Sequence, residues 1–385
     1  MFYHRDMRLR HLFAGVLMLA VSGTITARGA EAPHTRLQQP AGAIPARLTD
    51  TEFWKMVETL SEPAGYFQSE NFVGNELSFQ WVIPDLKKNI RPGGVYVGVG
   101  PDQNFTYIAA LQPKIAFIVD IRRGNLLQLL MYKALIEMSA DRTEFASKLF
   151  SRIKPANIKE DATAHQVLDA VYNQPASREL YERNLKAITD HLTKTHGFPL
   201  TPNELRDLEF IYGSFFSYGP GISYSNVNNR GGTIYPTYWD MQETDDNTGK
   251  SYAYMGTEEH FRAIKHMEEA NLIVPVTGNF GGPKAVKAVG AWVRDHGGVV
   301  TTFYTSNVEQ YLFQDNIWRE WYNNVAALPI DSTSMFIRSV FNGQAGFGGG
   351  GGLRSAQLTS SIAGLLAAFK DGKINSYYDV IAYSR

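Results

Sequence analysis

The chain has 385 residues, of which 44% are hydrophobic and 19% charged, and it contains no cysteine. A disulfide framework, a Cys-ligated zinc or iron–sulfur site, a Cys nucleophile and a lipidated N-terminal cysteine are therefore excluded. Lys and Arg number 37 against 38 Asp and Glu, a formal net charge of −1, which argues against a broad electrostatic footprint for nucleic acid.

Residues 1–32 read as a secretory signal. Arg5, Arg8 and Arg10 form a basic n-region, and Leu12 to Val21 is an apolar run too short to span a bilayer. Ala27, Gly29, Ala30 and Ala32 supply small residues for cleavage. The alternative is an uncleaved N-terminal anchor. The expected address is periplasmic or secreted, with no stable membrane span in the mature chain. Residues 33–48 are rich in Pro and Ala and read as a linker, and residues 49–385 as a single α/β domain.

Asp50 can cap a helix in which Phe53, Trp54, Val57 and Leu60 recur at helical spacing. A second short helix is expected from Asn75, ended or bent by Pro84. Glu76 in it reads as a capping-box carboxylate, with an active-site role as the alternative. After a Pro-Gly-Gly turn, Val95 to Gly100 is a strand apolar enough to be buried on both faces. A helix over 103–111, a strand over 115–120 and an amphipathic helix over 124–139 follow. This βαβα order predicts parallel strands. Residues 141–217 are helical in pattern. Residues 218–255 are rich in Tyr, Gly, Asn and Pro and have no period, as in a functional loop. Together they predict a helical and aromatic-loop insertion over about 141–270, and no third strand is legible within it. Strands are expected at 272–276, 298–304 and 334–340, and helices at 282–295, 307–324 and near 356–369. Gly346 to Gly352 reads as flexible, and the closing YYDVIAYS as an edge strand.

Gly98 and Gly100 sit at the end of the first strand, ahead of Asp102 and a helix amino terminus. Small residues there let a ligand approach the backbone, beside free N–H groups. On this reading Gly98→Val impairs ligand binding more than folding. Asp120 closes the second strand 20 residues after Gly100, where Rossmann-type folds place an acid for ribose hydroxyls. The alternative is a tight turn and a solvated acid. Arg122 and Arg123 follow, one of them able to pair with Asp120 or with a ligand carboxylate, unless they are a plain surface pair. Gln103 stands where the third glycine of a dinucleotide fingerprint would be.

With these residues the chain resembles the class I S-adenosylmethionine (SAM)-dependent methyltransferase core. Gly98 and Gly100 match its first motif and Asp120 its second-strand acid. The resemblance covers residues 93–140, and residues 271–340 follow it in strand–helix order. It implies a Rossmann-like open, mostly parallel sheet carrying a large helical and loop insertion. It also implies SAM as cofactor at Gly98, Gly100, Asp102, Asp120 and Arg122, and methyl transfer to a small molecule. The segments GVYVGVGPDQNFTYIAAL, AFIVDIRRGNLLQLLMYKAL, NLIVPVTGNFGGPKAVKAVG and FYTSNVEQYLFQDNIW are also similar to a family of uncharacterised bacterial exported proteins with such a core.

Ligands of open α/β sheets bind beyond the strand carboxyl ends. That singles out Asn279 after one strand and Ser306, Asn307 and Glu309 after the next. Asn279, Asn307 and Glu309 are the catalytic candidates, and the methyltransferase resemblance puts Asn279 in the region facing the methyl-transfer site. All three are equally readable as turn or cap residues. Tyr218, Tyr235 and Tyr238 are candidate substrate contacts, unless the aromatic loop packs on itself. The scattered histidines, His191 and His196 among them, read as surface residues, and no metal site is expected. Asp240, Glu243, Asp245 and Asp246 lack calcium-loop spacing. No G-x-S-x-G elbow and no P-loop occurs. The expected partner is a small molecule and not a nucleic acid. Export would separate the chain from the cytoplasm, where SAM is made. A non-catalytic exported ligand- or partner-binding protein on the same fold is therefore the alternative function.

Overall fold

A computed structural model describes residues 42–228, 235–341 and 355–385. The expected signal at 1–32 and the glycine-rich stretch 346–352 lie outside these residues. Of the expected linker, the described part is packed onto the body. Leu48 is buried and its N–H bonds Ala270 O at 3.0 Å, and Gly42 N–H bonds Asp295 O at 3.0 Å.

Two helices, α1 (Asp50–Leu60) and α2 (Ile83–Asn89), precede the first strand. Pro84 does not end α2. It lies in its first turn, where a missing N–H costs nothing. The run VYVG forms β1 (Val95–Gly98), buried throughout because strands pair with it on both sides and helices cover its faces. Next come α3 (Gln103–Leu111), β2 (Ile115–Asp120) and α4 (Arg123–Glu137). Between β2 and β3 (Ile273–Thr277) the chain is helical: α5 (Arg142–Leu149), α6 (Ala164–Tyr172), α7 (Arg178–Asp190), α8 (Pro202–Tyr218), α9 (Tyr224–Val227), α10 (Tyr238–Glu243) and α11 (Glu258–Glu269). This insertion is an enlarged β2–β3 crossover, and the third strand of the sheet is simply the strand that follows it.

The rest is α12 (Ala285–Asp295), β4 (Val300–Ser306), α13 (Val308–Gln314), α14 (Trp318–Ala326), β5 (Met335–Phe341), β6 (Ser355–Ser361), α15 (Ile362–Lys370) and α16 (Tyr377–Ala382). Strand order is β3-β2-β1-β4-β5-β6, parallel except for β6. The fold is α/β, with one doubly wound, mostly parallel sheet. Connections run outward in both directions from β1 and β4, so a crevice opens beyond their carboxyl ends. Pro275 in β3 is tolerated because β3 is an edge strand.

Three expected elements differ. The helix near 356–369 begins as β6, whose Ser, Gln and Thr residues pair with β5 in register Met335↔Ser361. Its small polar side chains give little period to read. The closing segment is α16, set by a Ser376–Asp379 capping box that outweighs its aromatic β propensity. The 307–324 helix is two helices, broken at Asn316, which adopts φ +56. No helix among the described residues is long and apolar enough to cross a membrane.

Candidate functional site

The carboxyl ends of β1 to β5 open into one cavity of about 660 Å3. Gly100, Asp120, Asn279, Ser306, Asn307 and Phe341 line it from the strand ends. Residues of the 66–75 segment and Tyr224 and Tyr235 of the insertion close over it. The size is that of a small-molecule site.

The two glycines of the first turn serve different ends. Gly100 has φ +82, a conformation other residues resist, and a Cβ there would meet no protein atom within 4 Å. It is the open backbone that the sequence suggests. Gly98 is not. A Cβ there would lie 2.0 Å from Asn104 Oδ1 and 2.7 Å from the Tyr96 ring. Asn104 ties the turn together, donating to Val99 O at 2.9 Å and Pro101 O at 2.7 Å while accepting from Tyr96 Oη at 2.8 Å. Gly98 therefore serves packing, and the expectation for its substitution reverses. Gly98→Ala should cost about 1–3 kcal/mol of stability by overpacking, read by urea denaturation, with ligand affinity of the folded protein unchanged.

Asp120 lies at the β2 end, buried and lining the cavity. Both its oxygens are engaged by Arg122: Oδ1 accepts from Arg122 N at 2.9 Å and Nε at 3.2 Å, Oδ2 from Nη2 at 3.3 Å. Arg122 Nη1 also reaches Glu70 Oε2 at 3.3 Å. Arg122 pairs with Asp120, and the pair is buried, not on the surface.

The cavity floor is built around Glu76. Its carboxylate is 2% exposed. Oε2 accepts from Gln103 Nε2 at 2.8 Å, Tyr304 Oη at 2.8 Å and Gln357 Nε2 at 2.7 Å, and Oε1 from Ser306 Oγ at 2.5 Å. The capping-box reading fails because the nearest helical turn starts only at Phe79, and Ser78 before it makes no side-chain capping bond. Gln103, the residue that breaks the glycine fingerprint, is spent on this floor. Ser306 adopts φ +50 at the β4–α13 junction. Non-glycine residues in that conformation concentrate at functional sites. The sequence signal for Glu76 was a lone acid in an apolar stretch, Glu76-Leu77-Ser78-Phe79.

The remaining candidates separate. Asn279 and Asn307 line the cavity. Asn279 Oδ1 also accepts from Gly281 N at 3.0 Å, the Asx turn that was its alternative reading. The N–H groups ahead of α12 are filled by Glu62, which accepts from Asn279 N, Lys284 N and Ala285 N at 2.9–3.1 Å. Asn307 precedes α13 without a side-chain capping bond.

Glu309 is outside the cavity. It is buried against Arg338, Nε to Oε2 at 2.7 Å, and also accepts from Tyr322 Oη and Trp321 Nε1. Its role is structural. Asp102 is likewise buried away from the cavity, accepting from Tyr254 Oη at 3.0 Å. Burial pushes its carboxyl up to about 7, against the pull of the Tyr254 bond. Of the candidate tyrosines Tyr235 lines the cavity, with Tyr224 edge-on to it at 5.0 Å. Tyr238 is fully buried, sharing a 2.7 Å hydrogen bond with Tyr254. Tyr218 is exposed outside the cavity, its Oη donating to Asn226 O at 3.3 Å.

Two histidines are not surface residues. Glu137, His191 and His196 place three ligand-type atoms within 4.8 Å of one another. Glu137 Oε2 meets His191 Nε2 at 2.6 Å and His196 Nε2 at 2.7 Å. His196 Nδ1 faces Asp50 Oδ1 at 2.7 Å. Ionised carboxylates only accept, so in this arrangement His196 donates from both nitrogens, and a metal ion would have to displace a proton to take one of them. Lys133 Nζ takes Glu137 Oε1 at 2.7 Å. The cluster is a charge-balanced clasp between α4, α1 and the π-helical turn at His191–Thr195.

Fold and cavity define an α/β protein with a mostly parallel sheet and a cavity at the strand carboxyl ends. The chain belongs to the family defined by a domain of unknown function, DUF7790, whose model matches residues 71–359. That span reaches from the cavity-closing segment to β6. Comparison with curated proteins finds no match.

Proposed function

We propose that this protein binds SAM in the cavity, on a class I methyltransferase-like core, and transfers its methyl group to a small molecule. The observation that carries the reading is that Gly100, with its open left-handed turn, and Asp120, the second-strand acid, line one cavity with the β4-end residues Ser306 and Asn307. The charge of the site supports it. Among the described residues Glu76, Asp120 and Asp315 line the cavity against one cation, Arg122, and the α12 amino end is filled by Glu62. Such a site repels pyrophosphate and suits a ligand that carries a sulfonium and no phosphate. Methyl transfer needs mainly alignment and exclusion of water, which a recessed cavity supplies. The n-region, apolar run and small residues of 1–32 support export, to the periplasm or beyond, so SAM would have to reach the protein there.

The test is calorimetric titration with SAM and S-adenosylhomocysteine. Saturable binding is expected, weakened at least about tenfold in Asp120→Asn through loss of a charged acceptor. Absence of binding at millimolar ligand overturns the proposal. A second reading, ligand binding without turnover, is favoured by the engagement of both Asp120 oxygens with Arg122. It is distinguished by a bound ligand that is recovered unchanged after incubation with candidate acceptors.

A further inference from the structure

We infer that the cavity floor is a subsite for an alkylammonium group, with the Glu76 carboxylate as its counter-charge. The inference goes beyond the SAM reading and stands without it. A carboxylate taken out of water costs several kcal/mol unless it is paired. Glu76 is 2% exposed, and its four donors, Gln103, Tyr304, Ser306 and Gln357, are all neutral. They orient the carboxylate but do not cancel its charge. Among the described lining residues the only cation is Arg122, and its guanidinium is committed to Asp120 and Glu70. Among the described residues the floor thus presents a preorganised anion, the lining acids outnumber the lining cations, and the partner that Glu76 lacks there is a cation.

The walls fit the same ligand class. Phe67, Tyr224, Tyr235, Tyr304 and Tyr311 line the cavity. Aromatic faces attract ammonium ions and cover the alkyl stem that carries them. A metal ion fits less well. Among the described residues Glu76 is the only carboxylate of the groups hydrogen-bonded on the floor, and the amides and hydroxyls there point their hydrogens at it. Oε2 already accepts three hydrogen bonds and Oε1 one, so a primary ammonium would donate to the lone pair left on Oε1, and it needs no second acid. The strained backbone of Ser306, whose hydroxyl is 2.5 Å from Glu76, fixes the anion at the β4 end.

The probes are 2-phenylethylammonium chloride and its neutral counterpart 2-phenylethanol, titrated calorimetrically into the full-length protein. The ammonium ion is expected to bind roughly ten- to hundredfold more tightly than the alcohol, the worth of one charge-assisted hydrogen bond. Glu76→Gln, if folded by circular dichroism, is expected to abolish that preference. If that variant does not fold, wild-type crystals soaked with the ammonium probe decide, with its nitrogen expected within hydrogen-bond distance of Glu76. Equal affinity for the two probes, no binding of either at millimolar concentration, an unchanged preference in folded Glu76→Gln, or a probe nitrogen placed elsewhere overturns the inference. SAM is titrated separately. Failure of SAM with success of the ammonium probe removes the methyltransferase reading alone, and the reverse removes this subsite alone.

Discussion

Glu309→Leu is expected to cost about 3–5 kcal/mol of folding stability, the usual result of stranding one member of a buried ion pair. Arg338 is 0% exposed, and among the described residues it donates, besides Glu309, only to the Ser360 and Ser384 hydroxyls, each at 2.6 Å. Without Glu309 its guanidinium keeps its charge and loses its counter-charge in the sheet interior. Urea denaturation of the single variant reads the loss. The double variant Glu309→Leu/Arg338→Met should recover a substantial part, since replacing both partners removes the stranded charge. A single variant with the wild-type midpoint would mean that the pair is not the buried bridge described above. Ligand affinity of the folded single variant should be unchanged, because Glu309 does not face the cavity.

Stability should fall as pH rises from about 5 to 8. Three groups hold their protons more tightly in the folded than in the unfolded chain. Burial pushes Asp102 up to about 7 against the hydrogen bond from Tyr254. Burial raises Glu268 to about 8, opposed by the charge of Lys133 and assisted by that of Glu137. For His196 burial pulls the pKa down, but the hydrogen bond and charge of Glu137 and the bond to Asp50 outweigh it and leave it raised. The contribution of each is complete below its unfolded pKa, about 4 for the carboxyls and 6.5 for the imidazole. Each is lost as pH climbs through the folded value.

Glu137 runs the other way. Burial would raise it, but His191, His196 and Lys133 together depress it. Its contribution is present above about pH 4.5 and lost only in strong acid. Each extra folded-state proton gives a slope of about 1.4 kcal/mol per pH unit. Denaturant midpoints at pH 5, 6.5 and 8 check the direction, and a midpoint that rises over that range contradicts it. Asp102→Asn should flatten the slope below pH 7, and His196→Gln the slope above pH 6.5.

The parts of the site that were legible are those set within a few residues. Gly100 had to be glycine because a left-handed turn follows a buried strand, and Asp120 stood out because it ends one. Both signals are local, since period and turn chemistry act over a handful of residues. The floor was not legible. Glu76 meets Gln103, Tyr304, Ser306 and Gln357 across separations of 27 to 281 residues, and no spacing rule joins a preceding loop to one helix and two strands. Glu309 shows the same limit in reverse. An acid in the first turn beyond a strand end reads as a site or a cap, and only Arg338, brought alongside by β4–β5 pairing, makes it half of an ion pair.

By itself, the sequence determined the α/β class, the buried parallel strands, the acid at the end of the second and the absence of any cysteine chemistry. These follow from hydrophobic period, turn residues and composition, which a chain carries in one dimension. The tertiary structure decided which polar residues face the cavity and which only hold the fold. It divided Gly98 from Gly100, Glu76 from Glu309, and Tyr235 from Tyr238. The physical reason is that a side chain's role depends on whether its neighbours in space leave it open to a ligand, and those neighbours come from elements far away in the chain.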